Sequence, residues 1–120
     1  MTLLPDPEQL GHWMSNADLD FYVNEFSRSG FRGPLNYYRN HNLTWELTEG
    51  APTQIQQPAL FVAGDRDGVI AMAAQALEAM PNYVTDLRVN ALIPGIGHWT
   101  QQEAAEATNE YLLDWLAGLN

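Results

Sequence analysis

The stretch "PALFVAG", Pro58 to Gly64, is apolar without alternation and ends on a glycine. A short unbroken apolar run bounded by Pro and Gly suits a strand buried on both faces of a parallel sheet. Working outward, a helix is expected from about Ile70 to Met80, with Ile70, Ala73, Ala74 and Leu77 on one stripe and Pro81-Asn82 as its end. "LRVNALIPG", Leu87 to Gly95, then reads as a second strand, apolar from Ala91 to Ile93 and broken by Pro94-Gly95. A last amphipathic helix is expected from about Gln101 to Leu119, burying Ala104, Thr108, Tyr111, Leu112, Trp115, Leu116 and Leu119. The result is a β-α-β-α unit whose crossover should be parallel and right-handed. Two parallel strands cannot satisfy both of their outer edges, so the unit is expected to be the end of a larger α/β sheet and an incomplete fold by itself. No internal repeat offers a second copy to complete it.

The first third reads as helices. Ser15-Asn16-Ala17-Asp18 has a hydroxyl cap with an acid three residues on, and Leu19, Tyr22, Val23 and Phe26 follow at helical spacing up to Gly30. Gly33-Pro34 restarts the chain, since Pro suits a first helical turn, and Leu35 and Tyr38 share a face of the short helix expected there. From Asn40 to Gln57 the pattern is irregular and polar, which predicts a connector.

Composition narrows the function classes. The 120 residues are 46% hydrophobic with four Trp, enough for a packed core of about one domain. Fifteen acidic against five basic residues give a net charge of −10, which repels phosphate backbones and anionic headgroups, so neither nucleic acid nor a membrane surface is an expected partner. The absence of cysteine removes disulfides, thiol catalysis and thiolate metal sites. No segment reaches the ~20 apolar residues of a membrane span, and the amino end has no basic leader-like region, so a soluble cytoplasmic protein is the default expectation. The scattered ligand types give no reason to expect a metal cofactor.

Chemistry is expected at the carboxyl ends of the two strands, where open α/β sheets place their sites. "AGDRDGV", Ala63 to Val69, leaves the first strand and "PGIGHW", Pro94 to Trp99, leaves the second. If the strands are neighbours, Asp67 and His98 stand at one edge. An acid that accepts the Nδ1 proton of a histidine fixes its tautomer and frees Nε2 to act as a general base. A loop histidine before a tryptophan can equally be structural, and Asp65 and Asp67 can serve as turn formers or helix caps bonding their own backbone, a reading that suits Asp65 better. His12 and His41 read as surface or cap residues, and Trp13, Trp45 and Trp115 as core or interface aromatics. "GDRDG" has neither a Walker lysine nor a GxGxxG pattern, so a phosphate cradle is not expected.

"FYVNEFSRSGFRGPLNYYRN", "LFVAGDRDGVI" and "LIPGIGHWTQQEAAEATNEYLLDWL" together resemble the carboxyl-terminal part of epoxide hydrolases of the α/β-hydrolase superfamily. The similarity covers nearly the whole chain after about Leu10, and "GFRGPLNYYRN" is its specific part. The resemblance implies an α/β fold: residues 1–48 as the end of a helical cap plus connector, and residues 49–120 as the last strands of the core. It implies that Tyr38, just before "RN", hydrogen-bonds the epoxide oxygen, that Asp67 is the charge-relay acid, and that His98 activates water. Val69 and Trp99 would line the pocket of a small-molecule epoxide. Tyr37 would then be a packing residue. The aspartate nucleophile on a strand-to-helix elbow, the HGxP oxyanion loop and a second epoxide-binding tyrosine, all parts of the family's pattern, do not occur in these residues. The chain alone is therefore expected to be a poor enzyme. Two alternatives stand beside this reading. One is a haloalkane or fluoroacetate dehalogenase, which shares the acid and histidine but needs a halide cradle, and against which "GFRGPLNYYRN" argues. The other is a non-catalytic remnant, or a module that self-associates or adds its strand edge to a complementing amino-terminal half.

Overall fold

A computed structural model of the chain describes residues 8–119. Contacts divide it into two units, one ending at Ala51 and the other beginning at Pro52.

The first unit is helical. Helix α1 (Asn16–Ser29) starts on the expected capping box: Ser15 Oγ accepts the Asp18 N–H at 3.2 Å, and the Asp18 carboxylate accepts the Ser15 N–H at 2.8 Å. The Ser15 hydroxyl, which donates to the Asp18 carboxylate at 2.6 Å, and after it the Ser15 N–H favour the ionised form and lower the Asp18 pKa. Gly30 ends the helix at φ 68°, in the region glycine enters freely. Phe26 and Phe31 stack across that turn with ring centroids 4.7 Å apart. Helix α2 (Arg32–Arg39) carries Pro34 in its first turn, where the missing N–H costs little. The irregular connector expected from Asn40 is instead a third helix, α3 (His41–Leu47). Residues 41–47 contain no helix breaker, and Gly50 and Pro52 act only after the helix has closed. Trp45 projects from α3 at 81% exposure, so it is not a core residue.

The second unit is the expected β-α-β-α layer. Strand β1 (Ala59–Gly64) pairs in parallel with β2 (Leu87–Ile93), and the register sets Val62 against Ala91 and Gly64 against Ile93. With two strands among the described residues, β1 is half-buried along most of its length rather than buried on both faces. Along β2, Leu87, Val89, Ala91 and Ile93 are covered while Arg88, Asn90 and Leu92 are open, the period-2 pattern of a sheet covered on one face.

The helix expected from Ile70 to Met80 is two helices. Helix α4 (Gly68–Met72) starts earlier because Asp67 caps it, and α5 (Ala74–Tyr83) follows a break at Ala73. Pro81 does not end α5 but sits in its last turns, and the helix closes with Val84 N–H on Met80 O at 2.8 Å. The final helix is also divided, into α6 (Thr100–Glu103) and α7 (Ala105–Ala117), with Ala104 at φ −140°, ψ 54° between them. Of its expected buried side, Ala104, Thr108 and Trp115 are partly covered, whereas Tyr111, Leu112, Leu116 and Leu119 remain exposed. A two-stranded bed, ~5 Å between strands, is too narrow to cover the whole stripe. Arg88 ties the end of α7 to β2 by donating to Gly118 O at 2.8 Å while pairing with Asp86. Among the described residues no helix is long and apolar enough to cross a membrane.

Candidate functional site

The buried residues among those described are Ala63, Gly64, Asp67, Ile93 and Thr100. All five lie at the carboxyl ends of the strands or in the segments just beyond. The register brings the two exits side by side, and main-chain bonds zip them together: Asp65 N–H donates to Ile93 O at 3.1 Å and Arg66 N–H to Ile96 O at 2.9 Å. Gly64 makes this approach possible, since a Cβ there would collide with the carbonyl oxygens of Ile96 and Gly97. Asp65 does not bond its own turn as expected. Its Oδ1 accepts the N–H of Gly95 at 2.7 Å, a residue at φ 78°, and so links one exit loop to the other.

Asp67 is 8% exposed and uses both oxygens. Oδ1 accepts the Val69 N–H at 2.8 Å and caps α4, while Oδ2 lies 2.9 Å from His98 Nδ1. The helix cap and the contact with His98 are thus made by one carboxylate. The hydrogen bond with His98 is the main cause lowering the Asp67 pKa, the Val69 N–H adds to it, burial opposes it, and the charge of His98 contributes least. An ionised carboxylate only accepts hydrogen bonds, so Nδ1 must carry the proton, and Nε2 is left as the basic nitrogen. The His98 ring is itself 56% exposed, open to a water or a substrate.

Val69 and Trp99 flank this pair. Val69 follows Asp67 in α4, and the Trp99 ring meets His98 edge-on, with centroids 5.1 Å apart and planes at 75°. Tyr38 belongs to the first unit, on α2, at 68% exposure, stacked on His41 with centroids 5.8 Å apart. Tyr37 is 74% exposed, so it is not a packing residue in this structure. It lines an open groove of about 540 Å³ with Asn40, His41, Thr44, Trp45 and Thr48, a feature that depends on α3 and was therefore invisible to the sequence reading. The sequence reading also passed over Glu103. Its carboxylate accepts the Gly97 N–H at 2.8 Å on Oε2 and the Trp99 N–H at 3.0 Å on Oε1. A Glu four residues beyond "HW", at the start of a helix, was the available signal. Among the described residues no group of three or more acidic or imidazole side chains is arranged to hold a metal ion.

No protein-family model matches the chain. Epoxide hydrolase B of Mycobacterium tuberculosis is 46% identical over 118 residues, covering 94% of the chain and 32% of that protein. The bifunctional epoxide hydrolase 2 of Sus scrofa is 34% identical over 93% of the chain and 20% of its own length. Among solved structures, epoxide hydrolase A from Mycobacterium thermoresistibile superposes with a TM-score of 0.87 at 42% identity, covering 97% of the chain and 36% of that structure. The chain thus spans a third or less of the length of the curated relatives cited here. By sequence and by structure, the chain is a homologue of epoxide hydrolases with the α/β-hydrolase fold and corresponds to their carboxyl-terminal part.

Proposed function

We propose that these residues supply the epoxide-activating and ester-hydrolysing half of an epoxide hydrolase acting on a small-molecule epoxide. The observation that carries the proposal is the Asp67 Oδ2 to His98 Nδ1 contact of 2.9 Å at the strand exits, with Nε2 left as the basic nitrogen. In this reading, residues 1–48 are the end of the cap with its connector and residues 49–120 the end of the core. The division of contacts after Ala51 is compatible with that partition.

The chemistry runs in two steps. A carboxylate nucleophile attacks one ring carbon, the C–O bond to the epoxide oxygen breaks, and the oxygen takes a hydrogen bond and then a proton from the Tyr38 hydroxyl. A phenol, of pKa ~10 when unperturbed, can stabilise that developing alkoxide. In the second step His98 Nε2 takes a proton from water as the water oxygen attacks the ester carbonyl, and Asp67 stabilises the imidazolium that forms. The acyl C–O bond then breaks, and the leaving alkoxide takes the proton of the new carboxyl group, so that the diol is released and the carboxylate restored. The His98 imidazolium returns its proton through solvent to the Tyr38 phenolate. Val69 and Trp99, beside the pair, form part of the wall against which the substrate lies.

The nucleophile is not among these 120 residues, so the chain alone should form no diol above a His98→Gln control. Joined to the amino-terminal two thirds of the 46% identical mycobacterial relative, it should hydrolyse an epoxide. A folded chimera without epoxide turnover would refute the proposal. A second reading, a non-catalytic assembly module, is favoured by the two-stranded sheet with its open edges. Light scattering separates the two: a discrete complex formed by the wild-type chain with a nucleophile-bearing partner, without turnover, would support assembly alone.

A further inference from the structure

We propose that Glu103 is a positioning residue for His98, holding the exit loop so that Nδ1 stays on Asp67. The assignment rests on the hydrolase reading for its purpose, but its geometry stands independently. The His98 ring is more than half exposed, so packing does little to fix it. What fixes it is its backbone. The Glu103 carboxylate takes one N–H on each side of His98, from Gly97 at 2.8 Å and from Trp99 at 3.0 Å. Backbone N–H bonds to a charged acceptor are stronger than neutral ones, and two of them on one carboxylate restrain the segment between.

The surroundings fit this use. A Cβ at Gly97 would come to 3.0 Å from Glu103 Oε1 and 3.2 Å from Oε2, so a glycine there lets the carboxylate lie against the loop. Helix α6 is a single turn, and Thr100 at its start is buried, with its Oγ1 donating to Gly97 O at 3.3 Å and its carbonyl accepting Thr108 Oγ1 at 3.4 Å. The turn is therefore anchored from below, and Glu103 reaches back from a fixed base. An ordinary capping contact would satisfy the Trp99 N–H at the helix start; the bond to Gly97, beyond the cap, is what extends the carboxylate's reach across His98.

The test reads the ring nitrogen and needs no turnover. Nitrogen-15 spectra of the His98 imidazole in the full chain should show the Nδ1–H tautomer in the wild type. Asp67→Ala, which leaves Nδ1 without a side-chain partner at that position, provides the signature of a released ring. Glu103→Ala, with the β1–β2 amide pattern retained, should move the tautomer population to that of Asp67→Ala. Glu103→Gln, which keeps one acceptor oxygen, should fall between. A Glu103→Gln spectrum identical to the wild type would overturn the assignment even if Glu103→Ala fails to fold, as would a folded Glu103→Ala with the Nδ1–H tautomer intact. If the tautomer moves but the chimera forms no diol, the hydrolase reading fails and the positioning role stands.

Discussion

Replacing Gly64 with alanine attacks the junction that holds the two exit loops together. The added methyl collides with the main-chain carbonyl oxygens of Ile96 and Gly97. Neither can swing aside like the end of a flexible side chain, because Ile96 O accepts the Arg66 N–H at 2.9 Å and Gly97 O accepts Thr100 Oγ1 at 3.3 Å. Overpacking of this kind costs ~1–3 kcal/mol, and loss of the Arg66 bond adds ~0.5–1.5 kcal/mol. We expect a destabilisation of roughly 2–4 kcal/mol, a large fraction of the stability of a small domain. Gly64 is not among the glycines of positive φ, so backbone preference contributes nothing to the loss. Urea unfolding followed by tryptophan fluorescence measures it, and with a slope of ~1–2 kcal/mol per molar the midpoint should fall by roughly 1–4 M. Gly68→Ala is the control: nothing lies within 4 Å of its added Cβ, and alanine in a helix is neutral to stabilising by ~1 kcal/mol. A Gly64→Ala midpoint indistinguishable from the wild type would refute the packing argument.

Two further outcomes follow from the site. Because the folded-state pKa of Asp67 is lowered, its ionised form stabilises the fold fully above the ordinary carboxylate value, and that contribution is lost as pH falls through the lowered pKa. Acid unfolding followed from pH 5 downward should therefore be less steep in Asp67→Asn than in the wild type, and equal slopes would contradict the His98–Asp67 bond. In the chimera, Tyr38→Phe removes the donor proposed for the epoxide oxygen and should lower kcat by roughly 10²-fold, the usual effect of deleting one such donor; an unchanged kcat would remove Tyr38 from the mechanism.

The strands could be read from the chain because "PALFVAG" and "LRVNALIPG" are bounded by Pro and Gly and leave no competing periodicity. Their adjacency was a condition of the reading and not its result; the parallel pairing of β1 with β2 meets that condition and brings together Asp67 and His98, 31 residues apart. The helix breaks were not readable. Ala73 and Ala104 interrupt their helices although alanine is the best helix former, so the cause is tertiary and leaves no mark in propensity. Pro81 misled in the opposite direction: it lies inside α5 near its carboxyl end, although a proline there removes an i→i−4 bond and reads in the sequence as the stop. α3 was hidden by its polar residues and by the breakers that follow it at Gly50 and Pro52. The exposed Leu112 and Leu116 show the limit of periodicity, which finds a stripe but not the width of what covers it. Glu103 escaped notice although its place four residues beyond "HW" was a signal, because the Gly97 and Trp99 N–H groups it accepts from carry no residue signature.

The central claim is that His98, held by Asp67, hydrolyses an ester formed on a nucleophile outside these residues. Intact-mass measurement of the chimera mixed with a stoichiometric epoxide tests it most directly, comparing the wild type with His98→Gln. We expect a transient adduct of one substrate mass in the wild type and a persistent one in His98→Gln, with no diol released. An adduct that decays equally fast in both proteins would contradict the claim.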